Sequence, residues 1–226
     1  MARRGRPRSF DREDALRRAM NVFWALGYEG ATLTDLQEAM GGITAPSLYA
    51  AFGSKEGLFR EAVELYSKTL GVPMMKVLAG EPKARAAMEA LLGAAVEAFC
   101  KPGKPRGCML VLAAMNSMPA NKSVQDHLRG LRARRQKVIQ QRLERGLAEG
   151  ELPSGLDVSA LASFYTTVVD GLAIQARDGA SRKALTFSVD CAMAAWDTVV
   201  AEAGSRISRR VTPNLLAPIT AERDRR

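Results

Sequence analysis

Phosphate binding is the chemistry that one short stretch near the N-terminus is suited to perform. In GGITAPSLYAAFGSKEGLF, residues 41–59, Tyr49 projects a hydroxyl from the middle of a short helical pattern. Lys55 follows at the start of the next pattern, where backbone N–H groups and the ammonium both favour an anion. Further upstream, a basic arm over residues 1–8 carries arginines suited to a nucleic-acid backbone or a narrow minor groove. These residue types indicate contacts with nucleic-acid phosphates.

Catalytic and metal-binding chemistry find little support in the same sequence. His127 is the single histidine, and Cys100, Cys108 and Cys191 lack the spacing of metal ligands or of a disulfide framework. We find no nucleophile beside a base, no carboxylate pair at helical spacing within an apolar face, and no glycine-rich phosphate loop. We therefore expect no catalytic residue, no metal and no cofactor. Cys108 is expected to be a buried apolar side chain, with a redox-sensing thiol beside Arg106 as the alternative.

The charge of the chain points to a polyanionic partner. The 226 residues carry a formal net charge of +9 and have a sequence pI near 9.8. This balance favours nucleic acid or an anionic membrane surface as the partner. The longest unbroken apolar run, MLVLAAM, is far too short to span a bilayer. We therefore expect a soluble cytoplasmic protein without a membrane partner.

Helical periodicity runs through nearly every long segment, and no alternating strand pattern is bounded by hairpin turns. The expected fold class is all-α. Breaks are predicted at GVP and GEPK and at later glycine and proline clusters. The predicted helices span 11–27, 32–40, 45–52, 55–70, 83–100, 106–117, 122–149, 157–178 and 181–203.

The composition divides the chain into four predicted parts. Residues 1–8 form the flexible basic arm, and residues 9–69 form a small helical domain. A shift towards long helices rich in Ala and Leu marks a second, larger helical domain over residues 70–204. Residues 205–226 are rich in arginine and in helix-breaking residues, so we expect a disordered tail.

Two short helices joined by a glycine-containing turn, and braced by a longer helix before them, describe a helix-turn-helix. A recognition helix packs one face on the core and presents the other to a major groove, so small or polar Ala45, Ser47 and Ala50 suit the free face. Ordinary packing of a short helix pair is the alternative. The residues expected to contact DNA are Arg4, Arg6, Arg8, Thr32, Thr34, Thr44, Ala45, Pro46, Ser47, Tyr49 and Lys55.

The stretches LRRAMNVFWALGYEGATLTDLQEAMGG and ITAPSLYAAFGSKEGLFREAV resemble the N-terminal DNA-binding region of the TetR family of bacterial transcriptional regulators. The resemblance covers residues 9–69 and implies a variable C-terminal domain that binds a ligand and dimerises. This sequence departs from the usual family pattern at two places. The turn MGGIT is one glycine longer than is usual in the family, and Ala45 and Pro46 replace polar residues of many members. The second departure favours shape and phosphate contacts over hydrogen bonds to bases.

The larger domain is expected to contain an adaptable apolar pocket and a dimer interface. Ordinary core packing is the alternative explanation of the methionines that suggest the pocket. The residues assigned to the pocket are Met88, Phe99, Met109, Leu112, Met115 and Phe164. The last two predicted helices carry apolar faces wider than one packing stripe, which favours a four-helix bundle between two subunits. The residues assigned to this interface are Leu161, Tyr165, Val169, Leu172, Val189, Met193 and Trp196.

The function expected from these features is transcriptional regulation. The protein would act as a homodimeric repressor that binds a double-stranded DNA operator and loses affinity when a small-molecule effector binds the larger domain. A non-inducible or architectural DNA-binding protein is one alternative, and a C-terminal region without a cavity would favour it. An all-helical enzyme is the other alternative, which the missing catalytic constellations disfavour.

Overall fold

A computed structural model describes the backbone of residues 10–115 and 118–211, with side chains as far as residue 205. In these ranges the chain forms helices and turns and no strand, which confirms the all-α prediction. The arm, with Arg4, Arg6 and Arg8, and most of the predicted tail lie outside the described residues. The helices are α1 (Arg12–Gly30), α2 (Leu33–Ala39), α3 (Ala45–Phe52), α4 (Lys55–Tyr66), α5 (Val72–Gly80), α6 (Ala84–Phe99), α7 (Met109–Leu112), α8 (Lys122–Ala148), α9 (Val158–Arg177) and α10 (Arg182–Val211).

Side-chain caps fix where α1, α2 and α4 begin. Asp11 accepts hydrogen bonds from the N–H groups of Glu13 and Asp14, and Ser54 caps α4. Thr32 and Asp35 form the predicted capping box, with the Thr32 N–H donating to Asp35 Oδ2 at 2.8 Å and the Asp35 N–H donating to Thr32 Oγ1 at 3.1 Å. Because each cap satisfies N–H groups that have no partner within the helix, the sequence locates these helix starts closely.

The predicted break at GVP is wrong, because the chain stays helical from Lys55 to Gly80. A π-helical turn over Ser67–Gly71 joins α4 to α5, and every flanking residue has right-handed helical backbone angles. A proline inside a regular helix clashes with the carbonyl four residues earlier, and the wider π turn just before Pro73 relieves this clash. The two domains therefore share one long helical element.

The predicted helix over 106–117 is also wrong in extent, since within the described residues 106–115 only Met109–Leu112 are α-helical. Gly107 has φ +82°, which an α-helix does not allow. An added Cβ at Gly107 would lie 2.5 Å from the Ala173 carbonyl oxygen. The segment over residues 107–113, which we call the strap, therefore contains only one short helix and crosses close to α9.

Aromatic rings form the centre of the N-terminal domain. Phe59 of α4 packs edge-on against Phe23 and against Tyr28, with ring centroids 5.1 Å apart in both pairs. Trp24 packs edge-on against Tyr66 at 5.0 Å. In the C-terminal domain α9 packs against α6, α8 and α10, so its apolar stripe lies inside the subunit.

The strap over residues 107–113 joins the two domains at both of its ends. The Trp24 indole N–H donates to the Gly107 carbonyl at 3.2 Å, and the Tyr28 backbone N–H donates to the Ala113 carbonyl at 2.6 Å. Arg177, at the end of α9, donates to the carbonyls of Trp24 and Ala25 at 2.5 and 2.7 Å. The C-terminal domain thus holds the end of α1 through several directional contacts.

Candidate nucleic-acid interface and effector cavity

The turn between α2 and α3 is built by its two glycines and one glutamine. Gly41 and Gly42 have φ angles of +92° and +74°, values that L side chains rarely adopt. Their N–H groups donate to the carbonyls of Glu38 and Gln37 at 3.1 and 2.9 Å, and the Gln37 amide donates to the Ile43 carbonyl at 3.0 Å. The additional glycine is therefore part of a closed, hydrogen-bonded turn.

Helix α3 has one buried face and one free face. Leu48 and Phe52 are buried against the core. Pro46, Tyr49 and Ala50 are exposed, with 42% of Tyr49 accessible. Ala45 and Ser47 are partly exposed at the start of the helix. The free face consists of small residues around one large aromatic side chain, as a helix that enters a groove requires.

Three of the hydroxyls assigned to DNA contact already serve the caps. The Thr32 hydroxyl donates to Asp35 Oδ2 at 2.6 Å, and the Thr44 hydroxyl lies 3.0 Å from that of Ser47. The hydrogen bonds from Thr32 hold the pKa of Asp35 below its usual value. These residues therefore orient α2 and α3. Thr34 is exposed in the first turn of α2.

Lys55 is anchored over an aromatic ring at the start of α4. Its Nζ lies 4.7 Å from the centre of the Tyr28 ring, an attractive cation–π geometry. Burial lowers the pKa of Lys55, while the nearby Glu29 carboxylate raises it. Tyr28 belongs to α1 and also donates to the strap, so the position of this ammonium depends on the junction between the domains.

Gly57 is a further determinant of this surface that the sequence analysis did not identify. A Cβ at this position would lie 2.3 Å from the Phe52 carbonyl oxygen, well inside van der Waals contact. Glycine therefore allows the first turn of α4 to approach the end of α3. A glycine within a predicted helix, just after a cap, was the available signal.

A cavity of 420 Å³ lies beside the π turn, between the long helical element and α8. We call it the junction cavity. Its walls are mostly apolar, with Lys76, Arg134 and Arg135 as the charged residues among those that line it. The strap contributes Cys108 and Leu110. The remaining lining residues are Tyr66, Ser67, Leu70, Gly71, Val72, Met74, Met75, Ala79, Ala98, Phe99, Leu131 and Val138.

The six residues predicted for the ligand pocket do not form one site. Phe99 lines the junction cavity, whereas Met88 and Met109 are not among the residues that line it. Leu112 is partly buried against the core, Met115 is 55% exposed, and Phe164 lies in a separate surface groove. Apolar residues with helical spacing fill a core as readily as they line a pocket, so the pattern could not separate these environments.

The seven residues predicted for the dimer interface all lie within the core of the single subunit. None of Leu161, Tyr165, Val169, Leu172, Val189, Met193 and Trp196 is more than 7% exposed. Tyr165 packs against Trp196 with ring centroids 5.7 Å apart, and its hydroxyl donates to the Ala192 carbonyl at 3.0 Å. The stripe therefore joins α9 to its own neighbours.

A different apolar surface on α9 and α10 remains exposed. Its largest members are Phe187, 67% exposed, and Phe164 and Val199, both 42% exposed. By length and composition alone, Arg182–Ser205 could also cross a membrane, although little of it is buried in the subunit. We call this surface the outer face, which consists of Phe164, Ala184, Phe187, Cys191, Ala194 and Val199.

Comparison with known proteins gives consistent matches along the chain. Residues 15–62 match the model for bacterial regulatory proteins of the tetR family, and residues 82–190 match a tetracyclin repressor-like C-terminal domain. The HTH-type transcriptional repressor ComR of Escherichia coli (strain K12) is 35% identical over 198 residues, which cover 87% of this chain and 94% of that protein. The HTH-type transcriptional repressor BdcR of the same strain is 26% identical over 210 residues, which cover 88% and 95%.

Two similar solved structures contain DNA. The first is a cysteine mutant of the TetR family transcriptional regulator CifR, complexed with 26-base-pair double-strand operator DNA. That chain is 48% identical to this one, with a TM-score of 0.82, and the match covers 84% of this chain and 100% of that chain.

Proposed function

The chain belongs to the TetR family of bacterial regulatory proteins, and on that premise we propose that it is a homodimeric repressor that leaves its DNA operator when a small molecule fills the junction cavity. Its role is regulatory rather than catalytic, and its site of action is the cytoplasm, where the DNA lies. A C-terminal region without a cavity would favour the alternative of a non-inducible protein, and the 420 Å³ junction cavity argues against that alternative.

The observation that carries the DNA-binding part is the free face of α3. Leu48 and Phe52 fix the helix to the core, while Pro46, Tyr49 and Ala50 are exposed beside the N-terminal turns of α2 and α4. Groove contacts from α3 would read shape and bases, and Tyr49 and Lys55 would bind phosphates on either side. The DNA complex of the 48% identical CifR chain supports the same use of this domain.

The outer face supports a dimer. A single helix-turn-helix reads only a few base pairs, so specific binding needs two copies about 34 Å, one helical turn of DNA, apart. Exposed Phe187, Phe164 and Val199 give α9 and α10 an apolar surface that a second subunit would cover in a four-helix bundle. This arrangement uses the two helices that the sequence predicts but a different face of each.

The strap supplies a route from the cavity to the DNA-binding domain. Cys108 and Leu110 line the junction cavity, while Gly107 and Ala113 at the ends of the strap accept hydrogen bonds from Trp24 and Tyr28. A ligand that displaces the strap would therefore turn α1, and with it α3. By linkage, the loss in DNA affinity equals the preference of the ligand for the displaced state, typically about 1–3 kcal/mol.

Selection from random DNA tests this function whatever the sequence of the operator. The full chain is used to enrich a library of double-stranded DNA with a 26-base-pair random region, the operator length in the CifR complex. We expect an inverted repeat with half-sites about 10 base pairs apart or a multiple of that spacing. The double variant Pro46→Ala/Tyr49→Ala should fold and yield no such repeat. Enrichment of the same sequence by both proteins would contradict the role of α3.

A further inference from the structure

The junction cavity contains a buried cation with unused hydrogen-bond donors. The side chain of Arg135 on α8 is 5% exposed, and its Nη2 donates to Asp170 on α9. Among the described residues, its Nε and Nη1 have no hydrogen-bond partner. A buried N–H group without an acceptor is costly, so this guanidinium is prepared for an additional oxygen ligand.

The other polar groups around the cavity also favour an acceptor with negative charge. Lys76 and Arg134 are exposed residues of the lining, and none of its described members is an aspartate or glutamate. The Tyr66 hydroxyl is buried and donates to Cys108 Sγ at 3.5 Å, a weak acceptor that a ligand oxygen would replace readily. Burial raises the pKa of Tyr66, so the phenol keeps its proton and can donate.

The rest of the wall is apolar and adaptable. Leu70, Met74 and Met75 come from the long helical element, and Leu131 and Val138 come from α8. Methionine side chains adjust to irregular ligand shapes at little cost. The volume of 420 Å³ falls within the ~300–1,000 Å³ of small-molecule sites. The wall therefore suits a hydrocarbon body attached to the charged group.

From these observations we infer that the effector is an amphiphilic organic anion whose acidic group binds Arg135 and whose hydrocarbon body lies against the π turn. This inference rests on the proposed function, because it names the chemical class of the molecule that releases DNA. The carboxylate or similar group accepts from one of the two Arg135 donors that lack a partner, Nε or Nη1. The apolar body contacts Ser67, Leu70 and Gly71, which form most of the π turn between the domains.

Direct binding of three ten-carbon probes to the full chain tests the class. Decanoate carries the anion, decanamide keeps the acceptor without charge, and decylammonium reverses the charge. Calorimetry is expected to give a Kd for decanoate at least about tenfold below that of decanamide, since hydrogen bonds to a charged group are the stronger ones. Decylammonium should not bind. Equal binding of decanoate and decanamide, or no binding of decanoate, would overturn the inference.

Two variants with opposite expected effects locate the anion. Arg135→Met should remove the preference for decanoate. Arg129→Met is the control and should keep the preference, because Arg129 is an exposed arginine on the same helix that pairs with Asp126. Asp170→Asn removes the carboxylate that competes for Arg135, so it should lower the Kd for decanoate severalfold. Asp170→Asn retains Arg135 and is informative even if Arg135→Met does not fold. Unchanged or weaker decanoate binding in Asp170→Asn would contradict the assignment of Arg135.

Adding the selected DNA separates this inference from the proposed function. Binding of DNA without any binding of decanoate would refute the anion class and leave the repressor function intact. Binding of decanoate to the cavity by a chain that selects no DNA would support the anion class and refute the repressor function. Release of DNA by decanoate, abolished in Arg135→Met and kept in Arg129→Met, is the result expected if both are correct.

Discussion

Tyr49 is the exposed aromatic residue on the free face of α3, and its hydroxyl has a single expected partner in DNA. Tyr49→Phe should weaken binding to the selected DNA by about 0.5–1.5 kcal/mol, or roughly 2- to 10-fold, because it removes one hydrogen bond to a phosphate. Fluorescence anisotropy at fixed salt gives the two Kd values. The thermal midpoint should stay the same, since the ring is 42% exposed. Equal affinity of both proteins would remove Tyr49 from the interface.

Gly57 sets the distance between α3 and α4. Gly57→Ala places a methyl group 2.3 Å from the Phe52 carbonyl oxygen, so the two helices must separate, and we expect a loss of about 1–3 kcal/mol in the free energy of unfolding. Gly93→Ala is the control, because a Cβ at Gly93 in α6 meets no other part of the described chain within 4 Å and alanine favours a helix. Urea unfolding gives the free energy of unfolding of both variants. A Gly57→Ala variant as stable as wild type would contradict the close approach.

At the residue scale, the sequence predicts capping residues well and burial less well. Thr32, Asp35, Thr44 and Ser54 act within a few residues of themselves, so local spacing specifies their hydrogen bonds. Whether Trp196 packs within its own subunit or against a second one depends on distant parts of the chain. Helical periodicity gives the apolar face of α10 but not the element that covers it.

At the scale of elements, the same limit explains the π turn and the strap. GVP has the composition of a break, yet the tertiary contacts of α5 keep it helical and the π turn absorbs the proline. MLVLAAM has a helical composition, yet Gly107 beside it must pass close to the Ala173 carbonyl. In both places packing against another helix overrides the local preference. These two departures from the local pattern adjoin the junction cavity.

The arm is an element whose contribution can be tested by deletion. Removal of residues 1–8 takes away Arg3, Arg4, Arg6 and Arg8. We expect affinity for selected and unrelated DNA to fall together, and the slope of log K against log salt to decrease by about 0.9 for each phosphate that the arm neutralises. Replacement of the four arginines by glutamine is the matched control for chain length. Unchanged binding at physiological salt would show that the arm has no role.

At the scale of the whole molecule, the outer face should determine the assembly. Phe187 is 67% exposed in the single subunit, so Phe187→Glu is tolerated by the subunit and places a charge in the proposed dimer interface. Sedimentation is expected to give a folded monomer with weak DNA binding. Leu26→Glu, at a residue of α1 that is 52% exposed, should remain a dimer. A dimeric Phe187→Glu protein would place the interface elsewhere.

The central claim is that two copies of α3, held by one dimer, read one DNA site. The most direct measurement compares the affinity of the wild-type chain for the selected inverted repeat and for the same DNA with one half-site scrambled. Because each mismatched base pair costs about 1–3 kcal/mol, we predict at least a ~100-fold loss for the scrambled DNA, with two chains bound per intact repeat. Equal affinity for both DNAs would contradict the account.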